Sequence, residues 1–111
     1  MGRIVQVGGT RLWMLESGAG RHPVVFVPGA GGVGLDFFLA HEQVASFATS
    51  LIYDRAGTGW SADLALPRST TEVTDELRAL LSTIELRSPH ILVGHSLGGA
   101  YVRRYAQRFP D

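Results

Sequence analysis

A serine flanked by glycines is the first candidate for chemistry in this sequence. Ser96 lies in Gly94-His95-Ser96-Leu97-Gly98, directly after an apolar run and before a segment that predicts a helix. A serine presented on a strained turn from a strand to a helix can act as a nucleophile, because the turn lifts its hydroxyl clear of the sheet. The flanking glycines let the neighbouring turns pass closely. The helix N-terminus also offers N–H groups to a developing negative charge. The alternative is an ordinary turn with Ser96 as a helix N-cap.

A glycine-rich loop at 28–34 has two interpretations. As an oxyanion loop it would supply a backbone N–H donor, for which we choose Ala30, paired with the N–H of Leu97. The same residues match G-x-G-x-x-G, and Asp54 follows Gly34 by 20 residues, as in a dinucleotide-binding fingerprint. Three features favour the oxyanion loop: a hairpin precedes it, it begins with Pro28, and the chain also contains the Ser96 turn. Dinucleotide binding stays the lesser alternative.

The elements that would position these residues alternate along the chain. Residues 4–15 predict a hairpin, and apolar runs at 24–27, 51–53 and 90–93 predict strands. Helices are predicted near 37–48, after a capping box at Ser69 and Glu72, and from Leu97 to about Ala106. This order, a hairpin and then β-α-β-α-β-α, predicts an α/β fold with a mostly parallel sheet and flanking helices.

Composition narrows the classes of function. The chain has 111 residues, with ten basic and ten acidic side chains and no cysteine. This length allows one small domain, and a neutral balance argues against nucleic acid as a partner. Without cysteine, a disulfide scaffold, a zinc-thiolate site and a thiol nucleophile are excluded. We find no secretory leader, membrane segment or metal-ligand cluster, and expect a cytoplasmic protein that needs no metal or cofactor.

Taken with residues 54–61 (D-R-A-G-T-G-W-S), these motifs resemble the α/β-hydrolase family, in particular its single-domain bacterial-type members. The leading hairpin and three motifs in the family's order extend the resemblance over nearly the whole chain. The resemblance implies a Ser-His-Asp/Glu hydrolase with Ser96 as nucleophile and Ala30 and Leu97 as oxyanion donors. It also implies that Asp54 and Arg55 stabilise the turn after their strand.

The sequence departs from the family in two respects. Pro28 stands where the family's oxyanion loop usually has histidine. In the family, the triad acid and histidine follow later strands, and these 111 residues supply only the first five of about eight strands. We therefore expect residues 1–111 to be an N-terminal, partial α/β-hydrolase domain that is inactive alone. Its last strand should lack an outer neighbour.

None of the four histidines stands at the family's position for the base. We expect surface or packing roles for His22, His41, His90 and His95. His95 adjoins Ser96, but neighbouring side chains on such a turn diverge, so we assign it a structural role. The triad acid and the triad histidine should both lie outside these residues.

The function predicted is hydrolysis of an ester, amide or related acyl bond in a small-molecule substrate. Acyl transfer, haloperoxidation and lyase chemistry also occur on this fold, whereas serine at position 96 disfavours the branches with an aspartate nucleophile. A second hypothesis is a non-catalytic remnant or partner-completed module, which would self-associate through its incomplete sheet edge. The sequence also offers four aromatic residues that could line a pocket, although core packing is expected for most of them: Trp13, Trp60, Phe37 and Phe38.

Overall fold

The computed structural model describes residues 2–20, 22–29, 32–61 and 68–110 of the chain. Its strands are β1 (Arg3–Val7), β2 (Thr10–Ser17), β3 (Val24–Val27), β4 (Ser50–Tyr53) and β5 (Ile91–Gly94). Its helices are α1 (Phe38–Ala45), α2 (Thr70–Thr83) and α3 (Leu97–Arg108), and a 3-10 turn, Gly34–Phe37, directly precedes α1. The predicted order of hairpin, strands and helices is confirmed.

The strands form one sheet in the order β1-β2-β4-β3-β5. The hairpin is antiparallel, and β2 also pairs antiparallel with β4, whereas β3 pairs parallel with both β4 and β5. The chain therefore passes from β3 to β4 on one side and returns to β5 on the other side of β3. In open α/β sheets, the crevice at such a reversal is the usual place for a ligand.

The alternation of side chains along β3 divides the core into two layers. Val25 and Val27 lie in one layer, against the buried faces of α2 and α3. Val24 and Phe26 lie in the other layer, where Phe38 and Val44 of α1 pack. Successive side chains of a strand point to opposite faces, so an apolar strand with helices on both faces buries every residue.

Local sequence determines where the helices begin and end. Ser69 accepts the N–H of Glu72 at 3.0 Å, and Glu72 accepts the N–H of Ser69 at 2.9 Å, so the predicted capping box is present. These hydrogen bonds lower the pKa of the Glu72 carboxyl. The helix predicted near 37–48 is shorter than expected, because Ser46 donates its N–H and its hydroxyl to Gln43 O and a turn follows Ala45.

Strand β5 forms one edge of the described sheet. Both central strands, β3 and β4, are buried along their whole length, whereas Ile91 on β5 is 51% exposed. Within the described residues no strand pairs with the outer side of β5, as the sequence predicts. Every helix in the described part of the chain is too short or too polar to cross a membrane.

Candidate active site

The candidate site is a cleft at the carboxyl ends of two adjacent parallel strands. Val27 of β3 and Gly94 of β5 are partners in the sheet, so the segments that follow them leave it side by side. Pro28 and Gly29 follow β3, and His95 and Ser96 follow β5. They line a cleft of about 480 Å³ together with Gly32, Asp36 and Phe37.

Ser96 occupies the turn between β5 and α3 in a conformation that few side chains adopt. Its φ is 57° and its ψ is −123°, and the residue is exposed. It stands at the N-cap position of α3, yet its side chain accepts no capping hydrogen bond. The turn is closed instead by main-chain bonds of 2.9 Å, from Gly98 N–H to His95 O and from Gly99 N–H to Ser96 O. Ser96 is therefore not a capping residue of the ordinary kind, whose side chain would accept an N–H of the first helical turn.

The glycines two residues before and after Ser96 are required by close backbone contacts. A Cβ atom at Gly98 would overlap the carbonyl oxygen of Val27, and one at Gly94 would overlap the carbonyl oxygen of Gly98. Neither glycine has a positive φ, so the reason is space and not backbone conformation. The steric demand inferred from the spacing is confirmed.

The glycine loop lies directly against the serine turn. A Cβ added at Gly29 would stand 2.8 Å from His95 O and 3.3 Å from the Cβ of Ser96. Leu97 is the first residue of α3, so its N–H is one that the helix leaves unbonded. The structure therefore brings Gly29, Ser96 and Leu97 together. Ala30, the other predicted oxyanion donor, lies outside the described residues.

Arg55 connects this loop to the rest of the site. Its guanidinium donates from Nη1 to Pro28 O at 2.5 Å and from Nη2 to Gly29 O at 2.7 Å. The same guanidinium lies over the ring of Tyr101 on α3, 5.0 Å from its centroid. One buried side chain thus contacts both the loop after β3 and the helix that follows Ser96.

Asp54 stabilises the turn after β4, and its contacts account for the spacing that suggested a dinucleotide site. Its Oδ1 accepts the N–H of Gly34 at 2.7 Å, and its Oδ2 accepts the N–H of Trp60 at 3.0 Å. The residue is 2% exposed, so the carboxylate does not face a ribose. A Cβ at Gly34 would come within 2.8 Å of Tyr53 O, which explains that glycine without a nucleotide.

Of the four histidines, only His95 lines the cleft. It is exposed next to Ser96, and no hydrogen bond between its ring and Ser96 occurs among the described residues. His22 is exposed ahead of β3, and His90 lies with its Nε2 3.1 Å from Leu86 O. Among the described residues, none of the four histidines is hydrogen-bonded to Ser96.

His41 lies near the amino-terminal end of β4, away from the cleft at the carboxyl ends of the strands. It is buried on α1, and its Nδ1 is 2.7 Å from the hydroxyl of Ser50 at the start of β4. Burial lowers the pKa of this imidazole, and the nearby charge of Glu42 opposes that effect. His41 is a packing histidine, as the sequence analysis expects.

Comparison with known proteins decides the family. The chain matches the α/β-hydrolase family over residues 24–110. It belongs to the α/β-hydrolase family. Its fold is the N-terminal part of the α/β-hydrolase fold, and it superimposes on the esterase EaEST from Exiguobacterium antarcticum with a TM-score of 0.86 and 22% sequence identity. That match covers 98% of this chain and 41% of the esterase.

Two relatives illustrate the range of chemistry among similar proteins. The human (lyso)-N-acylphosphatidylethanolamine lipase is 36% identical over 82% of this chain and 28% of its own length. A dihydrolipoyllysine-residue acetyltransferase component of an acetoin cleaving system from Pseudomonas putida is 33% identical over 86% of this chain and 26% of its own length. The chain thus spans about a quarter to two fifths of the length of these three proteins.

In this α/β-hydrolase chain, two features of the cleft could not be found by sequence analysis. Asp36 lines the cleft, with its Oδ2 accepting the N–H of Val33 at 3.0 Å, and no motif marks it. The contact of Arg55 with Pro28 and Gly29 likewise depends on pairing between β3 and β4. Among the four aromatic residues, Phe37 lines the cleft and Trp13 is buried in the core. Trp60 is 61% exposed, so it is not a core residue, and its ring centroid lies 5.1 Å from that of Trp13.

Proposed function

We propose that this chain is the N-terminal part of a serine-dependent α/β hydrolase that cleaves an ester, amide or related acyl bond. The observation that carries the proposal is the conformation of Ser96, exposed at φ 57° in a cleft between a strand and a helix N-terminus. A non-glycine residue in such a conformation requires the surrounding structure to hold it there, and strained residues of this kind cluster at functional sites. The 36% identical (lyso)-N-acylphosphatidylethanolamine lipase supports the same chemistry.

The proposed reaction follows the course of serine acyl transfer. The Oγ of Ser96 attacks the acyl carbon while a base takes its proton, and the carbonyl oxygen becomes an oxyanion that accepts the N–H groups of Leu97 and Ala30. The tetrahedral intermediate collapses to an acyl-enzyme as the leaving group departs with the proton. Water then attacks the acyl-enzyme by the same route, which releases the acid and regenerates Ser96.

The base and its orienting acid are proposed to come from sequence outside residues 1–111. A serine hydroxyl without a base is a poor nucleophile near neutral pH, so the 111-residue polypeptide alone should be inactive. Coding DNA read in frame past codon 111 should supply an Asp or Glu and then a His, each after a predicted strand. A stop codon at that point would contradict the proposed triad.

The serine is tested by substitution in the full-length polypeptide. Ser96→Ala should lower kcat for p-nitrophenyl esters by about 10³-fold or more, because removing a triad nucleophile leaves only binding and the oxyanion donors. Ser82→Ala, at an exposed position on α2, is the matched control and should leave kcat unchanged. Full esterase activity in Ser96→Ala would overturn the proposed function.

A second candidate function is a partner-completed module without catalysis. It is motivated by the outer edge of β5, which has no partner strand within the described residues and could pair with another polypeptide. In that case the chain would complete its sheet on another polypeptide and would show association without turnover.

A further inference from the structure

Arg55 makes contacts that stabilising a turn does not require. The side chain is 6% exposed, and both of its hydrogen bonds to the loop after β3 end on main-chain carbonyls, those of Pro28 and Gly29. Burying a guanidinium is unfavourable unless polar groups replace its water. Two carbonyl dipoles and the face of the Tyr101 ring supply that replacement here.

The Gly29 carbonyl lies in the loop from which the proposed reaction takes one of its two oxyanion donors. The Gly29 carbonyl points to Arg55, and it also accepts the N–H of Gly32 at 3.0 Å, so this peptide unit is held by two donors. The proposed reaction takes its loop donor from the residue that follows Gly29, so holding the Gly29 carbonyl also holds the main chain that leads to this donor.

We propose that Arg55 is the positioning residue for both oxyanion donors of Ser96. It holds the main chain of the loop at Gly29 through the carbonyl of that residue. It holds the first turns of α3, which begin at Leu97, through the Tyr101 ring. This inference rests on the proposed function of Ser96. Arg55 itself does not contact the substrate.

Lysine cannot take this place, although it would keep the charge. Two successive carbonyls are bound by the two ends of a planar fork, whereas an ammonium is a point charge on a flexible stem. A misplacement of about 1 Å at a catalytic group lowers the rate by up to about 10²-fold. Arg55→Lys should therefore lower kcat by about 10- to 100-fold, with KM changed little.

The test compares a transition-state analogue with a ground-state analogue on the full-length polypeptide. A trifluoromethyl ketone forms an anionic tetrahedral adduct on a serine, whereas the corresponding methyl ketone binds as a neutral carbonyl. In Arg55→Lys the inhibition constant of the trifluoromethyl ketone should rise by the same factor by which kcat falls, and that of the methyl ketone should stay unchanged. Arg104→Lys, at an exposed position on α3, is the matched control and should change neither constant.

A second variant keeps the test informative should Arg55→Lys fold poorly. Tyr101→Leu removes the ring under the guanidinium and leaves Arg55 in place, so it should show the same difference between the two ketones with a smaller loss. The positioning role would be overturned if the inhibition constants of both ketones rose equally. It would also be overturned if kcat were unchanged in both variants. If the wild-type protein neither turns over esters nor binds the trifluoromethyl ketone, the proposed function itself fails.

Discussion

At the scale of single residues, Ser96 combines a strained backbone with an exposed hydroxyl. A non-glycine residue at positive φ carries of order 1–3 kcal/mol of strain. The close approaches of Gly94 to α3 and of Gly98 to β3 fix the turn in this geometry. The strain is thus maintained by packing around the serine, as expected for a preorganised nucleophile.

The buried His41 should make the stability of the folded chain depend on pH. Burial lowers the pKa of His41 in the folded chain below 6.5, so in acid the unfolded chain binds a proton that the folded chain resists. The free energy of unfolding should therefore fall as pH drops below about 6.5 and be independent of this group above it. Urea unfolding of wild type and His41→Gln between about pH 5 and 8 measures the effect.

The exposed His22 supplies the control for His41. His22→Gln should retain the wild-type slope of unfolding free energy against pH, whereas His41→Gln should flatten it. The comparison uses slopes because losing the Ser50 contact lowers stability at every pH. An unchanged slope in His41→Gln would refute the role of this buried imidazole.

Residue-scale features were predictable from sequence where they are local and not where they depend on tertiary contacts. The Ser96 turn is encoded locally: the spacing within Gly94–Gly98, the apolar run before it and the helix after it together predict the turn. The hydrogen bonds from Arg55 to Pro28 and Gly29 join segments 27 and 26 residues apart, and only the pairing of β3 with β4 brings them together.

At the scale of elements, the contact between α3 and β3 makes a sharp prediction about two adjacent glycines. A Cβ at Gly98 would overlap Val27 O, whereas a Cβ at Gly99 would meet nothing within 4 Å. Gly98→Ala should lower the free energy of unfolding by about 1–3 kcal/mol through overpacking. Gly99→Ala should leave it unchanged or raise it by up to about 1 kcal/mol, because alanine favours the helix.

Denaturant unfolding of the two glycine variants measures the difference. Gly98→Ala should also reduce esterase activity in the full-length polypeptide, since displacing α3 from β3 moves Leu97 relative to Gly29. Equal stability of the two variants would contradict the close approach of the helix to the strand.

Element boundaries followed the sequence where capping chemistry is explicit. Ser69 and Glu72 define the start of α2, and its apolar spacing defines the buried face. The end of α1 was not predictable from the sequence. Ser46 ends the helix by donating a hydrogen bond to Gln43 O, and a serine in the sequence does not by itself predict a helix end. The order of the strands in the sheet could not be predicted either. The alternation of strands and helices predicts parallel neighbours, but it does not predict on which side of β3 strand β5 pairs.

At the scale of the whole molecule, the polypeptide of residues 1–111 has an exposed sheet edge. Unpaired edges with apolar side chains pair with other chains. We predict that this polypeptide self-associates through β5, so its mass in sedimentation equilibrium should rise with concentration. Ile91→Lys should reduce the association, because a charge on an edge strand disfavours pairing.

A matched control separates edge pairing from general hydrophobic association. Leu39 on α1 is 79% exposed, so Leu39→Lys removes an exposed apolar side chain away from the edge and should leave the association unchanged. An equal effect of the two variants, or a mass that is independent of concentration, would contradict association through β5.

The central claim is that Ser96 is the nucleophile of a hydrolase domain. The most direct measurement is mass spectrometry of the full-length polypeptide after reaction with a fluorophosphonate, which labels activated serines. We predict one phosphonyl group per chain, located on Ser96, with no labelling of Ser96→Ala and normal labelling of Ser82→Ala. Labelling of a different serine, or equal labelling of Ser96→Ala, would contradict the assignment.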